Sequence, residues 1–299
     1  MKADRFPSTR IPHSQFKILV QQFDNSMRFA SGTTRHVYRK ALDQLSSFAR
    51  VTQFKFTPGD FTQFRLWLLN RKHLSVNSVN TYLTACRRFC EFLVELGVLV
   101  RNPAWNVHGT AQTFSKMSIP LRDVEMSIAS IGRISVLERR DRAFLLVMME
   151  CGATISQLIG ADIRDLRYVG KKLEIRVNSK GLRGKTEAIS LTDQARGALL
   201  DYFDLRGRTA PDDPLFTAVH MGKTSNDRLS PRGIRAAMKR YLTFRDGSSL
   251  RLDSIRTYCG IRLAIMGKRP EEIRAHMRFK SNMPMKKILE NSQNPINSR

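Results

Sequence analysis

Hydrophobic residues in the N-terminal third recur every three to four positions, which is the spacing of amphipathic helices. The segments with this pattern are 14–29, 33–50, a helix that Thr57-Pro58 opens, and 75–97. The last three of these helices can be capped by Thr33 or Thr34, by Thr57 and by Ser75. A short side-chain oxygen at such a position accepts a backbone N–H of the first turn. Asn102-Pro103 then ends the unit. The pattern predicts a small bundle of four helices.

The pattern changes after Pro103. Residues 104–119 have weak periodicity and are expected to form a linker. Helical spacing returns in 121–131, 138–151, 155–159, 192–206, 231–242, 253–266 and 270–277. Residues 169–177 and 186–191 instead alternate with a period of two, which predicts strands. The expected fold is mainly α with a small antiparallel β-sheet (α+β), in two domains, 1–103 and 120–299.

The charge of the chain indicates its partners. The formal net charge is +25, with 51 Lys and Arg against 26 Asp and Glu. A surface this basic repels itself and favours a polyanionic partner: nucleic acid first, an anionic membrane second. A basic surface kept for solubility is the remaining alternative. Because no apolar run is long enough for a transmembrane helix and no signal-peptide core is present, we expect a cytoplasmic, nucleoid-associated protein without a membrane partner.

The cysteines and histidines give no spacing typical of a metal site. Cys86 and Cys90 lie four residues apart on one predicted helix, but no further Cys or His completes a zinc pattern. Cys151 and Cys259 are isolated. We expect reduced, partly buried thiols, no metal and no cofactor.

Several short motifs, in their order along the chain, resemble the tyrosine recombinase/integrase family. Residues 75–97 followed by Asn102-Pro103 are similar to the end of the family's core-binding domain. Arg140-Asp141-Arg142-Ala143 and residues 151–158 resemble the segment that opens its catalytic domain. Ser230-Pro231-Arg232 and then Arg256 resemble its second catalytic motif. The resemblance covers residues 15–290 and implies a SAM-like core-binding bundle followed by the family's catalytic-domain fold.

The resemblance also implies where catalytic groups would lie. In the family, two arginines hold the scissile phosphate, other groups transfer protons, and a tyrosine attacks phosphorus. The first arginine position falls at Thr154, and the histidine and arginine of the second motif fall at Asp253 and Arg256. The lysine position falls at Lys180 or, by a shift, at Lys185.

The last two positions of the family pattern are apolar here. The late histidine or tryptophan falls at Phe279, and the nucleophile, nine residues later, falls at Ile288. A shifted register gives His276 and Met285 instead. The last tyrosine of the chain is Tyr258, two residues after Arg256, so on a helix the two side chains diverge by about 200°.

We therefore expect a member of the family that is not an enzyme. The leading hypothesis is a sequence-specific double-stranded DNA-binding protein, a transcriptional regulator or repressor of a mobile element or prophage. One alternative is a recombinase with a displaced nucleophile, such as Tyr258 or a serine. Another is an accessory subunit that assembles with an active recombinase partner. A homo-oligomer on DNA is left open.

Basic and short polar residues on four segments are the predicted DNA contacts. In the family, the second and fourth helices of the first domain face the major groove, where Arg and Lys bind phosphate or guanine and short polar groups reach base edges. The alternative is that these residues are solvated helix faces, and for Arg256 an ion pair with Asp253. The predicted contacts are Arg35, Arg39, Lys40, Asn77, Asn80, Thr81, Arg87, Arg88, Lys180, Arg183, Lys185, Arg232, Arg235, Lys239 and Arg256.

Overall fold

The computed structural model describes residues 8–28, 30–109, 119–179, 184–244 and 247–293, except for the side chains at 252, 253 and 283. The chain divides into two compact units, Met1–Phe114 and Ser115–Arg299. The division lies within residues 104–119, the predicted linker. Residues 110–118 of that linker are outside the described residues.

The first unit is a bundle of helices: α1 (His13–Ser26), α2 (Gly32–Val51), α3 (Pro58–Asn70) and α4 (Val76–Glu95). The last three begin at residues whose hydroxyl accepts a backbone N–H of the first turn. These residues are Ser31, Thr57 and Ser75. The predicted helices are confirmed, with one difference. α2 is capped by Ser31 and not by Thr33 or Thr34.

Aromatic rings fill the core of the first unit. Phe89 of α4 lies edge-on to Phe16 and Phe23 of α1, with ring centroids 5.5 Å apart in both pairs. Phe48 of α2 lies 5.4 Å from Phe64 of α3. All five side chains are buried, and tilted or edge-on rings attract each other beyond the effect of burial alone. These contacts hold α1 on α4 and α2 on α3.

The second unit is built around one buried helix. Its helices are α5 (Leu121–Ala129), α6 (Val136–Cys151), α7 (Ile155–Ile159), α8 (Asp193–Arg206), α9 (Pro231–Tyr241), α10 (Leu252–Ile265), α11 (Pro270–His276) and α12 (Met283–Ser292). Every residue of α6 from Arg140 to Cys151 is buried, and α6 packs against α5, α8 and α10. A helix covered on all sides needs apolar residues on all sides, which explains the apolar run after Arg142.

Two small antiparallel sheets flank these helices. The first contains β1 (Leu166–Val169), β2 (Lys172–Val177) and β3 (Glu187–Ser190), with β2 in the middle. In its register, Ile175 lies between Leu166 and Ile189. The second pairs β4 (Thr217–His220) with β5 (Lys223–Arg228). The expected class, mainly α with small antiparallel sheets, is confirmed.

Strands β2, β4 and β5 and helix α12 differ from the sequence prediction. The alternating segment 169–177 contains a turn at Gly170, whose φ is 59°, so β2 begins only at Lys172. β4 and β5 were not predicted, because the residues of β5 are all polar. α12 was not predicted either, because its short apolar stripe lies in a segment rich in Asn and Lys.

The four cysteines are buried free thiols, as expected. Burial raises the pKa of Cys86 and of Cys259 to about 12, so both stay protonated at neutral pH. Among the described residues, no His, Cys, Asp and Glu side chains group in a way that would hold a metal ion. In the same residues, no helix combines the length and the apolar character that a membrane crossing needs.

Candidate functional site

A cavity of about 230 Å³ in the second unit brings together positions that lie far apart in the sequence. Thr154, Arg256, Phe279 and Ile288 all line it. They come from the start of α7, from α10, from the turn after α11 and from α12. The remaining lining residues are Met148, Ile155, Thr257, Pro284 and Lys287. Four of the six positions singled out for catalysis therefore share one space, which is mostly apolar and carries two cationic side chains.

Thr154 lies in the cavity wall because it caps α7. Its hydroxyl accepts the backbone N–H of Gln157, and the Gln157 side chain accepts the N–H of Thr154 in return. The preceding Gly152 has a φ of 61°, and a Cβ there would lie 2.6 Å from the sulfur of Met277. Glycine is thus required at 152 both for the left-handed turn and for the close approach of Met277.

Arg256 extends from α10 across the end of α6. Its Nε donates to the carbonyl oxygen of Gly152 at 2.9 Å, and its Nη2 donates to the carbonyl of Met277. The guanidinium lies 4.8 Å from the centre of the Phe279 ring. Burial, followed by the nearby charge of Arg278, lowers the pKa of Arg256 to about 10. The side chain of Asp253 is outside the described residues, so the predicted alternative, an Arg256–Asp253 ion pair, stays a prediction.

Arg278 is a second guanidinium beside the cavity. Its Nη2 donates to the carbonyl oxygens of Gly152 at 2.8 Å and of Cys151 at 3.1 Å, and its Nη1 donates to the carbonyl of His276 at 2.7 Å. Its Nε is buried and has no partner among the described residues. Its backbone is left-handed, with φ at 53°. Burial lowers the pKa of Arg278, which indicates a charge held out of water.

α12 presents a hydrocarbon at the predicted nucleophile position. Ile288 is buried and packs on Gly260 of α10. Met285, the position given by the shifted register, is buried as well. In that register Nε2 of His276 donates to the carbonyl oxygen of Glu150 at 3.2 Å. Neither register places a hydroxyl on α12 beside Arg256.

Tyr258 faces away from Arg256, as the helical spacing predicts. It is fully buried, and its hydroxyl donates to the carbonyl oxygen of Ile119. Burial raises the pKa of this hydroxyl. Tyr258 is not part of the cavity lining. A buried, protonated and hydrogen-bonded phenol is poorly suited to attack phosphorus.

Lys185 is held by acidic side chains. Its Nζ lies 2.9 Å from Asp162 and also contacts Asp165, whose carboxylate is buried. Arg228 binds the other oxygen of Asp162 at 2.5 Å. Lys185 thus links the base of the first sheet to the segment before β1. Lys180 and Arg183 are outside the described residues, so their roles remain predictions.

Two predicted contact residues of α2 share one buried carboxylate. The Nη2 atoms of Arg35 and Arg39 lie 2.6 and 2.5 Å from Asp24 of α1. Hydrogen bonds from Arg39 and Arg35 lower the pKa of Asp24 to about 2. The cluster keeps one net positive charge, and the neighbouring Lys40 is exposed.

On α4 the predicted residues divide into two groups. Arg87 donates to the carbonyl oxygens of Ala104 and Val107 at 3.2 and 2.7 Å, and Asn80 lies against Gly109. These two side chains hold the segment after α4 and favour the structural alternative. The others point outward: Asn77, Thr81 and Arg88 are exposed, and Arg88 pairs with Glu91 at 3.0 Å.

α9 carries an exposed basic face. Arg232, Arg235 and Lys239 are exposed on this helix, at positions that share one side. None of the three has a carboxylate within 4.0 Å among the residues that the structure describes. Arg240, by contrast, lies 3.4 Å from the buried Asp141. We call Arg232, Arg235 and Lys239 the α9 basic face.

The sequence matches no family model. It is 26% identical over 188 residues to tyrosine recombinase XerC of Psychromonas ingrahamii, which covers 61% of this chain and 59% of the relative. It is 25% identical over 243 residues to the XerC of Vibrio campbellii, covering 78% and 74%. The XerC of Pelobacter propionicus is 32% identical over 155 residues, covering 51% and 48%. The chain thus spans about three fifths of the Psychromonas relative and about half of the Pelobacter one.

Solved structures share the fold. A XerH site-specific recombinase bound to its difH substrate superposes with a TM-score of 0.68 at 13% identity, covering 93% of this chain and 81% of that one. A lambda integrase dimer bound to a core site gives 0.64 at 11% identity, covering 89% and 95%. The names of the relatives and the shared fold both agree with the resemblance that the order of the sequence motifs indicates. In sequence and in fold, this chain is similar to the tyrosine recombinases.

The expectation that the chain is not an enzyme is contradicted by these comparisons. The relatives that it matches are named as recombinases, and recombinases are enzymes. The expectation rested on Thr154, Asp253, Phe279 and Ile288, which occupy catalytic positions of the family when the sequence is aligned to its pattern. An alignment to the family pattern assigns one residue to each catalytic role. A catalytic group is defined instead by its distance from the bound substrate.

Arg278 is a residue of the candidate site that the sequence pattern did not indicate. It directly precedes Phe279, a position that the family pattern singled out, and its positive charge was the one available signal. Its left-handed backbone and its contacts with the end of α6 depend on residues more than a hundred positions earlier. No local pattern in the sequence indicates such contacts.

Proposed function

We propose that this chain recognises a specific site in double-stranded DNA and acts there in DNA recombination. The α9 basic face carries the proposal. Three exposed cations on one side of a helix, without carboxylate partners among the described residues, suit a row of phosphates. α9 packs against α7, whose start lines the cavity with Arg256. The net charge of +25 supports the same partner.

The relatives support recombination as the purpose of this binding. Those named above are recombinases, and the XerH structure is a complex with a DNA substrate. The lambda integrase structure is a dimer on a core site. By analogy, this chain assembles on its DNA with a second subunit, either its own copy or another recombinase.

The first experiment measures DNA binding. A duplex is selected from a random pool with the purified chain, and the site is mapped by footprinting. Replacing the α9 basic face (R232A/R235A/K239A) is expected to flatten the slope of log K against log salt concentration by about 2–3, since each phosphate contact contributes about 0.9. The matched control, K268A/R269A/K286A, removes the same charge from side chains that pair with Glu272 and Glu290, and should leave the slope nearly unchanged. Equal slopes in both variants would exclude the α9 basic face as a surface that contacts DNA phosphates. The lack of a preferred site would refute the proposal.

A second experiment locates strand cleavage. A nicked suicide duplex that carries the selected site traps any covalent protein–DNA intermediate. An adduct places the nucleophile in this chain, and peptide mapping identifies it. Pairing of two duplexes without an adduct assigns cleavage to the second subunit. Binding with neither result would refute a function in recombination.

A second candidate function is transcriptional regulation at the bound site. It is favoured by the exposed α9 basic face, because regulation at a promoter requires only that the protein bind there. Mapping bound sites in the genome separates the two functions. Sites at promoters with altered transcript levels favour regulation, and sites at exchange points favour recombination.

A further inference from the structure

One carbonyl oxygen beside the cavity accepts hydrogen bonds from two arginines. The oxygen of Gly152, at the end of α6, receives Nε of Arg256 at 2.9 Å and Nη2 of Arg278 at 2.8 Å. The first arginine comes from α10 and the second from the turn after α11. Two guanidinium groups that share one acceptor necessarily lie within a few ångströms of each other.

The two arginines tie the turn after α11 to the end of α6. Arg278 bridges the carbonyls of Cys151 and His276, and Arg256 reaches the carbonyl of Met277. The same turn places the Phe279 ring 4.8 Å from the Arg256 guanidinium. The orientation of Arg256 is thus fixed by backbone groups, and Arg278 holds those groups together.

The pair has a surplus of positive charge. Neither guanidinium has a carboxylate within 4.0 Å among the described residues, and Glu187 of β3 attracts both from farther away. Like charges in a half-buried site repel each other, so an anion between them or beside them is favourable. The Nη1 of Arg256 has no hydrogen-bond partner among the described residues, and Arg256 lines the cavity.

We propose that Arg278 is a positioning residue for phosphate binding. It holds the turn after α11 so that Nη1 of Arg256 donates to a non-bridging oxygen of one DNA phosphodiester in the cavity. Arg278 thus supplies a second guanidinium at this site. The family's first arginine position is occupied here by Thr154, the cap of α7. The inference rests on the proposed DNA-binding function.

The backbone at Arg278 makes the proposal testable without unfolding the protein. A φ of 53° is disfavoured for arginine and is natural for glycine. Arg278→Gly therefore removes the side chain and relieves the backbone at the same time. Met221→Gly is the matched control, because Met221 is exposed, lies in the turn between β4 and β5, and has a φ of 49°.

The experiment replaces single phosphates of the selected duplex by neutral methylphosphonates, one position at a time. In the unmodified protein, one position is expected to lose about 10-fold or more in affinity, the value of a hydrogen bond to a charged group. In Arg256→Ala, replacing the phosphate at that position should no longer change the affinity. In Arg278→Gly its effect falls below about threefold, while Met221→Gly keeps it in full. Arg278→Lys keeps the charge without the fork and should resemble Arg278→Gly.

Each other outcome has a separate meaning. If Arg278→Gly retains the full effect at the Arg256-dependent position, the positioning role is wrong. If Arg278→Lys shows the full loss of affinity at that position, the charge of residue 278 and not its positioning of Arg256 is responsible. That result also overturns the inference. If no phosphate position depends on Arg256, the cavity does not bind phosphate, and the inference fails whatever the α9 basic face does. Thermal unfolding of each variant confirms that it is folded.

Discussion

Ile288 of α12 occupies space that only a glycine at position 260 of α10 can leave open. A Cβ on Gly260 would lie 2.3 Å from Cδ1 of Ile288, and both residues are buried. α10 and α12 therefore approach each other closely at this point. Because α12 supplies three residues of the cavity lining, Pro284, Lys287 and Ile288, this contact also fixes one wall of the cavity.

Gly260→Ala is expected to lower the free energy of unfolding by about 1–3 kcal/mol, because the added methyl group forces α12 outward. The matched control is Gly197→Ala in α8, where a Cβ meets nothing within 4 Å. That change should raise stability by about 0.5–1 kcal/mol. Urea unfolding measures both. Equal effects of the two substitutions would show that the α10–α12 contact is not tight.

Tyr258→Phe tests whether the buried phenol has a chemical role. Removing its hydroxyl leaves the carbonyl of Ile119 without its donor and should cost about 1–3 kcal/mol. Affinity for the selected duplex and adduct formation on the nicked duplex should not change in the folded protein. Tyr202→Phe, which removes a hydroxyl bonded to Thr217, is the control. Loss of an adduct in Tyr258→Phe alone would establish Tyr258 as the displaced nucleophile.

The Asp24 cluster should make the first unit sensitive to acid. The pKa of Asp24 is about 2, below its ordinary value of 3.8, because Arg39 and Arg35 donate to its carboxylate. A lowered pKa in the folded state stabilises the fold above the ordinary value, and this contribution is lost as the pH falls from 3.8 towards 2.

Asp24→Asn is expected to remove that pH dependence and to cost about 1–3 kcal/mol at neutral pH. Glu91→Gln, which breaks the exposed pair with Arg88, should cost less than about 1 kcal/mol. Denaturant unfolding between pH 2 and pH 7, followed by tryptophan fluorescence, measures both variants. An unchanged acid profile in Asp24→Asn would contradict the assignment.

Arg87 and Arg88 are adjacent on α4 and should behave differently. Arg87→Ala removes two hydrogen bonds to the segment after α4 and should lower stability by about 1–3 kcal/mol. Arg88→Ala, at an exposed position, should leave stability within about 0.5 kcal/mol and reduce DNA affinity if it contacts phosphate. Stability and affinity are measured on the same preparations. If Arg87→Ala has normal stability, the structural role of Arg87 is wrong and the predicted DNA contact is favoured instead.

Much of the fold could be predicted because the determining signals are local. Thr57 begins α3 through a capping box with Asp60, and the apolar run of α6 indicates its central place. The meeting of Thr154, Arg256, Phe279 and Ile288 followed from the order of motifs. The ion pairs of Asp24 could not be predicted, since Arg35 and Arg39 lie 11 and 15 positions away. β5 was missed because the strand is polar throughout, and Arg278 because its contacts are long-range.

The oxygen of Gly152 also has a consequence for the order of assembly during synthesis. Its two donors, Arg256 and Arg278, follow it by 104 and 126 positions along the chain. A nascent polypeptide that has formed α6 but has not yet released residue 278 from the ribosome therefore lacks at least one of the two donors and the part of the cavity lining that follows residue 278. The helices of the first unit emerge much earlier, so their aromatic core can pack before the cavity of the second unit is complete.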